Sequence, residues 1–490
     1  MNSLIERRGA STAWLVALVL TLAWGALAFG AVYPWAYRPL VLATAVCGLW
    51  GLLQASAPIR WSLVGGLGCV LLAILVQLAP LRWQVLEILS PGAHAVLMQY
   101  DLTYRLGVAS SAEVYHALSI RPDQTERALS FLLGLGLLLL GTTSGLSRST
   151  LRRLVLSIAM LGAALAIIAI VQKATYTGRI YGFWMPLEGR NPFGPFVNRN
   201  HFAGWMLMAL PLTMGHLLGL LSRTLPRERL AARERFLWLS TPEGSRVVLV
   251  SFAVVAMGLS LVLTLSRSGV AAFACAVLVT IVMIARRQPA PARRSIRLAY
   301  MAGLIATIVS WAGIDGIAAR FAQADTASIS GRLAIWGDTL TMLRDFVWTG
   351  TGLATFSAAN IFYQRAMADN NVTAAHNDWL QLAAEGGVLV ALPLLALMVI
   401  LIHEMRSRFA EHARRGDLGV TYWTRVGAAT GLLAIGVQEV VEFSLQMPGN
   451  AVLFAVLCAI AVAPAGTRRR AVGRSAANDE KKPHGPARRL

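Results

Sequence analysis

The chain has 490 residues, of which 56% are hydrophobic and only 14% charged, with a mean hydropathy of +0.59. A soluble domain carries roughly a quarter charged residues, so a water-soluble fold is excluded. So is nucleic acid as a partner. The net charge of +20 resides in short stretches between apolar runs and in the C-terminal tail, the pattern of topology signals and anionic lipid headgroups.

The apolar runs are about 17–25 residues long, enough to cross a ~30 Å hydrocarbon core as helix. They are apolar on all sides, whereas strands of a closed barrel alternate apolar and polar. In chain order the runs predict spans near 13–32, 39–54, 62–80, 127–145, 154–172, 201–221, 247–266, 269–285, 298–316, 380–402, 426–442 and 450–466. The fold expected is therefore an all-α integral membrane protein of about twelve transmembrane helices. With the N-terminus inside, 30 of the 44 Lys and Arg fall in the inside segments and the tail, and 14 elsewhere. That bias places both termini in the cytoplasm, and an even number of spans agrees with it. Arg7-Arg8 followed by an apolar run and Ala26-Leu27-Ala28 resembles a cleavable signal, but the run exceeds a signal's apolar region and reads as a retained anchor. Residues 1–466 form the membrane domain, and 467–490 read as a basic, disordered cytoplasmic tail. Cys47, Cys69, Cys275 and Cys458 all sit inside apolar runs, with no metal or disulfide spacing.

Three outside segments are too long to be simple turns. Residues 81–126 contain an amphipathic stretch and the acidic Asp101, Glu113, Asp123 and Glu126. Residues 173–200 are rich in Gly, Pro, Asn and aromatics. In residues 317–379, Leu333, Trp336, Leu340 and Leu343 recur on one helical face, with Ser330 as its expected N-cap, which predicts an interfacial helix. Long outside loops carry function more often than mere connection.

Four constellations at that face carry chemistry. Asn198, Arg199, Asn200 and His201 offer amides, a guanidinium and an imidazole suited to sugar hydroxyls or phosphate, or else a polar helix entrance. Arg267, within Ser266-Arg267-Ser268-Gly269, is the single charge between Arg246 and Arg286. An arginine near hydrocarbon is partnered, functional or snorkelling outward. Gly331-Arg332, at the expected helix start, would add free N–H groups to a guanidinium and make an anion site. His376, ahead of Asn377 and Asp378 and of Glu385-Gly386-Gly387, is the single histidine of residues 317–379. An imidazole titrating near neutral pH can take a proton from a hydroxyl. No outside loop carries an Asp-x-Asp metal pair.

Taken in order, Phe196-x-Asn198-x-Asn200, Ser266-Arg267-Ser268-Gly269, Gly331-Arg332 with Trp336, Gly350-x-Gly352 and His376-Asn377 resemble the O-antigen ligase and polymerase superfamily. The similarity is strongest over about 190–400. Glu442-Phe443-Ser444-Leu445-Gln446-Met447-Pro448-Gly449-Asn450 resembles a subgroup found in exopolysaccharide systems. The resemblance implies a GT-C-like fold, with a long periplasmic loop containing interfacial helices between spans nine and ten. It implies a metal-independent glycosyltransferase of the bacterial inner membrane that needs no cofactor. The donor would be an undecaprenyl-diphosphate-linked glycan, and the acceptor lipid A-core or another lipid-linked repeat. Carried over by residue, His376 is the general base, Arg267 and Arg332 neutralise the diphosphate, and Asn198, Arg199, Asn200, His201, Asn377 and Asp378 position substrate. Family ligases often carry a small or hydroxylated residue where this chain has Val390, so ligase and polymerase both stay open. The alternative from another class is a twelve-helix secondary transporter. The charge-free middles of most spans and the long outside loop between spans nine and ten argue against it.

Overall fold

The computed structural model describes residues 2–55, 57–186, 191–224, 237, 240–287, 326–365, 372–416 and 419–464. The expected span at 298–316 and the tail at 467–490 lie outside the described residues, as do 317–325 and 366–371 of the long loop.

The chain is mostly helical. In order the helices are α1 (Asn2–Leu27), α2 (Pro34–Leu53), α3 (Trp61–Leu78), α4 (Trp83–Leu89), α5 (Pro91–Tyr100), α6 (Leu102–Ala109), α7 (Pro122–Gly145) and α8 (Arg148–Ala174). They continue with α9 (Arg199–Thr224), α10 (Pro242–Leu263), α11 (Arg267–Arg287), α12 (Thr326–Asp345), α13 (Phe356–Asn360), α14 (Asp378–Arg415), α15 (Val420–Gln438) and α16 (Pro448–Val462). Among the described residues seven are long and apolar enough to cross a membrane: α2, α3, α7, α8, α9, α10 and α14. Ser11–Leu27, Arg267–Val282 and Pro448–Val462 are shorter apolar helices. This is a multi-pass, all-α membrane protein.

Helix α9 is the axis of the bundle. It packs against α8, α10, α11, α15 and α16, and residues 201–217 are buried along its whole circumference. A helix apolar on every side has to be enclosed by other helices. Its N-terminus, Asn198–His201, therefore emerges at the middle of one end of the bundle.

The two longest loops are one structure. Residues 81–126 fold as α4, α5, α6 and a two-residue hairpin, β1 (Leu81–Arg82) against antiparallel β2 (Tyr115–His116). Their Leu86, Leu97 and Tyr104 share a hydrophobic core with Met342, Phe346 and Phe356 of the later segment. A backbone bond ties the two, Ile120 N–H donating to Thr351 O at 2.9 Å, while Ser119 N–H donates to Gln77 O of α3 at 2.9 Å. The sequence shows one amphipathic stretch here because three short helices, separated only by Ser90 and Asp101, blur the periodicity.

Helix α14 is broken at Gly387, where φ is +57° and ψ −167°, a conformation essentially confined to glycine. Four backbone bonds join the broken turn to residues 347–352, and Gln77 Nε2 also donates to Glu385 O at 2.9 Å. Val388 N–H donates to Val347 O (2.8 Å) and Leu389 N–H to Trp348 O (3.0 Å), while Thr351 and Gly352 N–H donate to Ala384 and Glu385 carbonyls (3.1 and 2.9 Å). A Cβ on Gly387 would stand 2.8 Å from the Trp348 carbonyl carbon, and one on Gly350 (φ +66°) would collide with the Glu385 carbonyl. Glu385 closes the splice through its carboxylate, which accepts from Ala354 N–H and Phe356 N–H, both at 2.9 Å.

Three expectations change. Helix α12 is already formed at Thr326, so Ser330 is not its cap, and Gly331-Arg332 lies in its second turn with no free helix-start N–H groups. The eleventh expected span ends at Gln438 rather than 442, and residues 439–447 form a link with a 3-10 turn at Ser444–Gln446. The first expected span ends at Leu27, followed by a 3-10 turn at Phe29–Ala31.

Because residues 86–104 and 342–356 share one core, reporter fusions after Tyr100 and Asn360 should read the same side of the membrane, and a fusion after Arg415 the opposite side. Gly387→Ala should lower the unfolding midpoint and the yield of folded protein. Its strain alone costs about 1–3 kcal/mol, and unchanged thermal stability would show the break to be adaptable.

Candidate functional site at one end of the bundle

The residues singled out in the sequence come from four separated segments, and the structure gathers most of them at the end of the bundle where α9, α11 and α14 begin. Each begins there for a local reason. Asn198 Oδ1 accepts from Asn200 N–H at 2.8 Å and its carbonyl accepts from His201 N–H at 3.1 Å, which starts α9. Ser266 Oγ accepts from Gly269 N–H at 3.2 Å and starts α11 at Arg267. Asn377 Oδ1 accepts from Leu380 N–H at 3.0 Å and caps α14.

The centre is a carboxylate, Glu442, in the link after α15 and only 1% exposed. Its Oε1 accepts from Arg332 Nη2 at 2.7 Å, from Asn200 Nδ2 at 2.8 Å and from Ser268 Oγ at 3.4 Å. Three donors from α12, α9 and α11 thus meet on one oxygen. Glu442 Oε2 has no hydrogen-bond partner among the described residues. Burial pushes the Glu442 carboxyl above the usual carboxylate range, opposed by Arg332 and by the Asn200 and Ser268 bonds. Arg332 keeps 30% of its side chain exposed. Arg267, half-buried, is the neighbour of Ser268 in the chain and so sits at the edge of the same cluster.

His376 is held from both directions. Ala375 before it is pinned on both of its backbone polar groups: its N–H donates to Gln381 Oε1 at 2.9 Å, and its carbonyl accepts from Trp336 Nε1 at 3.0 Å. Two residues on, Asp378 N–H donates to Glu439 O at 2.9 Å. Between these anchors His376 adopts a left-handed backbone, φ +52°, uncommon outside glycine though more often met in Asn, Asp and His. Its imidazole lies edge-to-face against Phe443 at 4.8 Å between centroids, and His201 lies against the same ring, also at 4.8 Å. Both histidines therefore pack on Phe443. His201 is buried, and its Nε2 has no partner among the described residues.

The link binds the rest together. Gln438 Nε2 and Ser444 Oγ both donate to Asn200 O (3.2 and 3.3 Å), Asn450 Nδ2 donates to His201 O (3.0 Å), and Gln446 Nε2 donates to Asp378 Oδ1 (2.6 Å). Asp378 and Asn377 are thus engaged in structure, as lock and as cap. Arg199 begins α9 with its N–H on Asn191 O at 3.0 Å. Among the described residues no group of three or more His, Cys, Asp or Glu is placed to share a metal ion.

This gathers a guanidinium on a buried carboxylate, a second arginine and a strained histidine, brought by the segments 267–268, 332–336 and 376–385. Residues 252–395, which contain all three, match the family model described as O-antigen ligase. Over these residues the chain is similar to the O-antigen ligase superfamily. No curated protein matches the sequence. An O-antigen ligase domain goes with a membrane glycosyltransferase-like role in polysaccharide biosynthesis.

The O-antigen ligase domain does not contain the whole cluster. Glu442, Phe443 and Gln446 lie after it, and Asn200 and His201 before it. Sequence reasoning quoted Glu442 and Phe443 within a motif but gave them no role. The available signal was an acidic residue at the predicted end of a span, which in hydrocarbon demands a partner. Gln381, one helical turn before Glu385 on the same face, gave no signal beyond its polarity.

Phe443→Ala should leave membrane abundance near the parental level while reducing glycan transfer. A small displacement of a reacting group costs up to about 10²-fold. Parental transfer by this variant would show that the ring does not seat His376.

Proposed function

We propose that this protein transfers a glycan from an undecaprenyl-diphosphate donor to a hydroxyl of an acceptor, at the periplasmic face of a bacterial inner membrane. The observation that carries the reading is the convergence of Arg332, Arg267 and His376 at one bundle end within the matched O-antigen ligase segment.

The chemistry runs without a covalent enzyme intermediate. The acceptor hydroxyl oxygen attacks the anomeric carbon of the donor sugar, and the bond from that carbon to the phosphate oxygen breaks. The electron pair leaves with the lipid diphosphate. His376 takes the hydroxyl proton as the new bond forms. Diphosphate is a good leaving group, and the guanidiniums of Arg267 and Arg332 stabilise the charge it gains, in the role a divalent cation plays elsewhere. Such preorganised charge is worth most at a site withdrawn from water. Attack from the face opposite the diphosphate inverts the anomeric centre.

The acceptor is lipid A-core or the end of another lipid-linked repeat, which makes the enzyme a ligase or a polymerase. The exopolysaccharide-like motif at Glu442–Asn450 favours the second, since a polymerase in such a system has no lipid A-core to serve.

His376→Ala should abolish most glycan transfer, by about 10²–10⁴-fold, the usual contribution of a general base. Parental transfer should be insensitive to EDTA. Arg267→Ala should be inactive at normal abundance, and Arg267→Lys partly active, because an ammonium does not reproduce the planar fork. The measurement is acceptor length on a gel with purified protein and lipid-linked donor. A well-folded His376→Ala that transfers at the parental rate would remove the histidine from the mechanism.

A further inference from the structure

Glu442 stands out among the buried polar groups. It is a carboxylate outside the matched O-antigen ligase segment, yet its three side-chain donors are residues of three of the motifs read from the sequence: Arg332, Asn200 and Ser268. All three use the same oxygen, and the other, Oε2, is without a partner among the described residues. Burying a carboxylate costs folding energy that only good geometry and full hydrogen bonding recover. A residue serving only to join helices would do so more cheaply as an amide, whose oxygen accepts the same bonds without a charge to desolvate. The charge is retained for the guanidinium.

We infer that Glu442 is a positioning residue of the diphosphate site, acting through Arg332. The inference rests on the reading of Arg332 as a diphosphate ligand. A guanidinium presents five N–H donors in one rigid plane. The 2.7 Å bond from Nη2 to Glu442 fixes that plane. The remaining edge belongs to a side chain still 30% exposed, and it is available to two phosphate oxygens. Without the carboxylate, Arg332 would be a long flexible side chain on the surface of α12, and each binding event would have to order it. Asn200 and Ser268 add a second effect. By meeting on the same oxygen they hold the starts of α9 and α11 at a fixed distance from α12, and α11 starts with Arg267. One carboxylate therefore sets the spacing of both arginines.

The test uses full-length protein in lipid nanodiscs, with inorganic pyrophosphate as the probe and thermal unfolding as the check on folding. Glu442→Ala should weaken pyrophosphate binding by about tenfold or more, the scale of one charge-assisted bond. Glu442→Asp should retain part of the affinity. The double variant Glu442→Ala with Arg332→Ala should bind no worse than Arg332→Ala alone, because the carboxylate acts through the arginine. A merely structural glutamate would weaken both backgrounds by the same factor. Should Glu442→Ala not fold, the isosteric Glu442→Gln takes its place in the same cycle, with a smaller loss in the parental background and none in Arg332→Ala. Parental affinity in the folded Glu442 variant, or losses that multiply in the double variant, would overturn the inference. Parental binding by Arg332→Ala would instead overturn the diphosphate reading beneath it.

Discussion

Backbone polar groups cannot be left unpaired at membrane depth, and a helix that stops there must hand its N–H and C=O groups to another segment. The break in α14 at Gly387 meets that constraint with the loop 347–352. Four backbone bonds cross between the two segments, in both directions. The arrangement requires two glycines at close approach and a buried carboxylate, Glu385, to hold the far side of the loop. What it secures is the short helical piece 378–386, which stands at the bundle end without being the direct continuation of the span below. His376 is fixed to that piece through Asn377 and Gln381. Gly350-x-Gly352, His376-Asn377 and Gly386-Gly387 are scattered in sequence but form one mechanical object.

Two arginines in the bundle sit in contrasting environments. Arg425, at 0% exposed, donates to His412 and to the carbonyl of Ala463. Its donors are turned inward onto α14 and the end of α16, where they satisfy groups that the bundle would otherwise leave unpaired. Arg332 has one nitrogen on a carboxylate while its side chain stays 30% exposed. The difference is access. An arginine whose plane is fixed while an edge stays exposed is arranged for something that arrives.

The apolar helices were legible because hydrocarbon enforces length and apolarity residue by residue, though α1 begins well before its apolar run at 13 and α14 continues well past 402. The motif residues were legible as residue types, since a charge such as Arg267 is conspicuous in an apolar context. The partnerships were not. Nothing in the spacing of Glu442 and Arg332, 110 positions apart, says that they meet, because side-chain pairing across a bundle depends on which helices neighbour each other. The helix start at Gly331 was misplaced for a related reason. Amphipathic periodicity marks a stripe beginning at Leu333 and is silent about turns that precede it; in the structure Leu333 and Leu340 of that stripe stay exposed, and Ile335, Met342 and Phe346 pack. Likewise the shared core of residues 81–126 and 326–384 was hidden, since each loop alone shows only modest apolar content. It is complementarity between them, with Phe346 and Leu97 members of one core, that makes either fold.

The location of Glu442 has a consequence for biogenesis. A membrane protein is threaded into the bilayer from its N-terminus, so Arg267, Arg332 and His376 are delivered well before residues 439–450. Until that link is in place, Arg332 lacks the Glu442 carboxylate, the ring on which His376 and His201 pack is missing, and the start of α9 lacks its ties from Gln438, Ser444 and Asn450. The last hairpin to be inserted thus acts as a keystone. A chain interrupted before it presents Arg332 and His376 without the contacts that hold them at the bundle end.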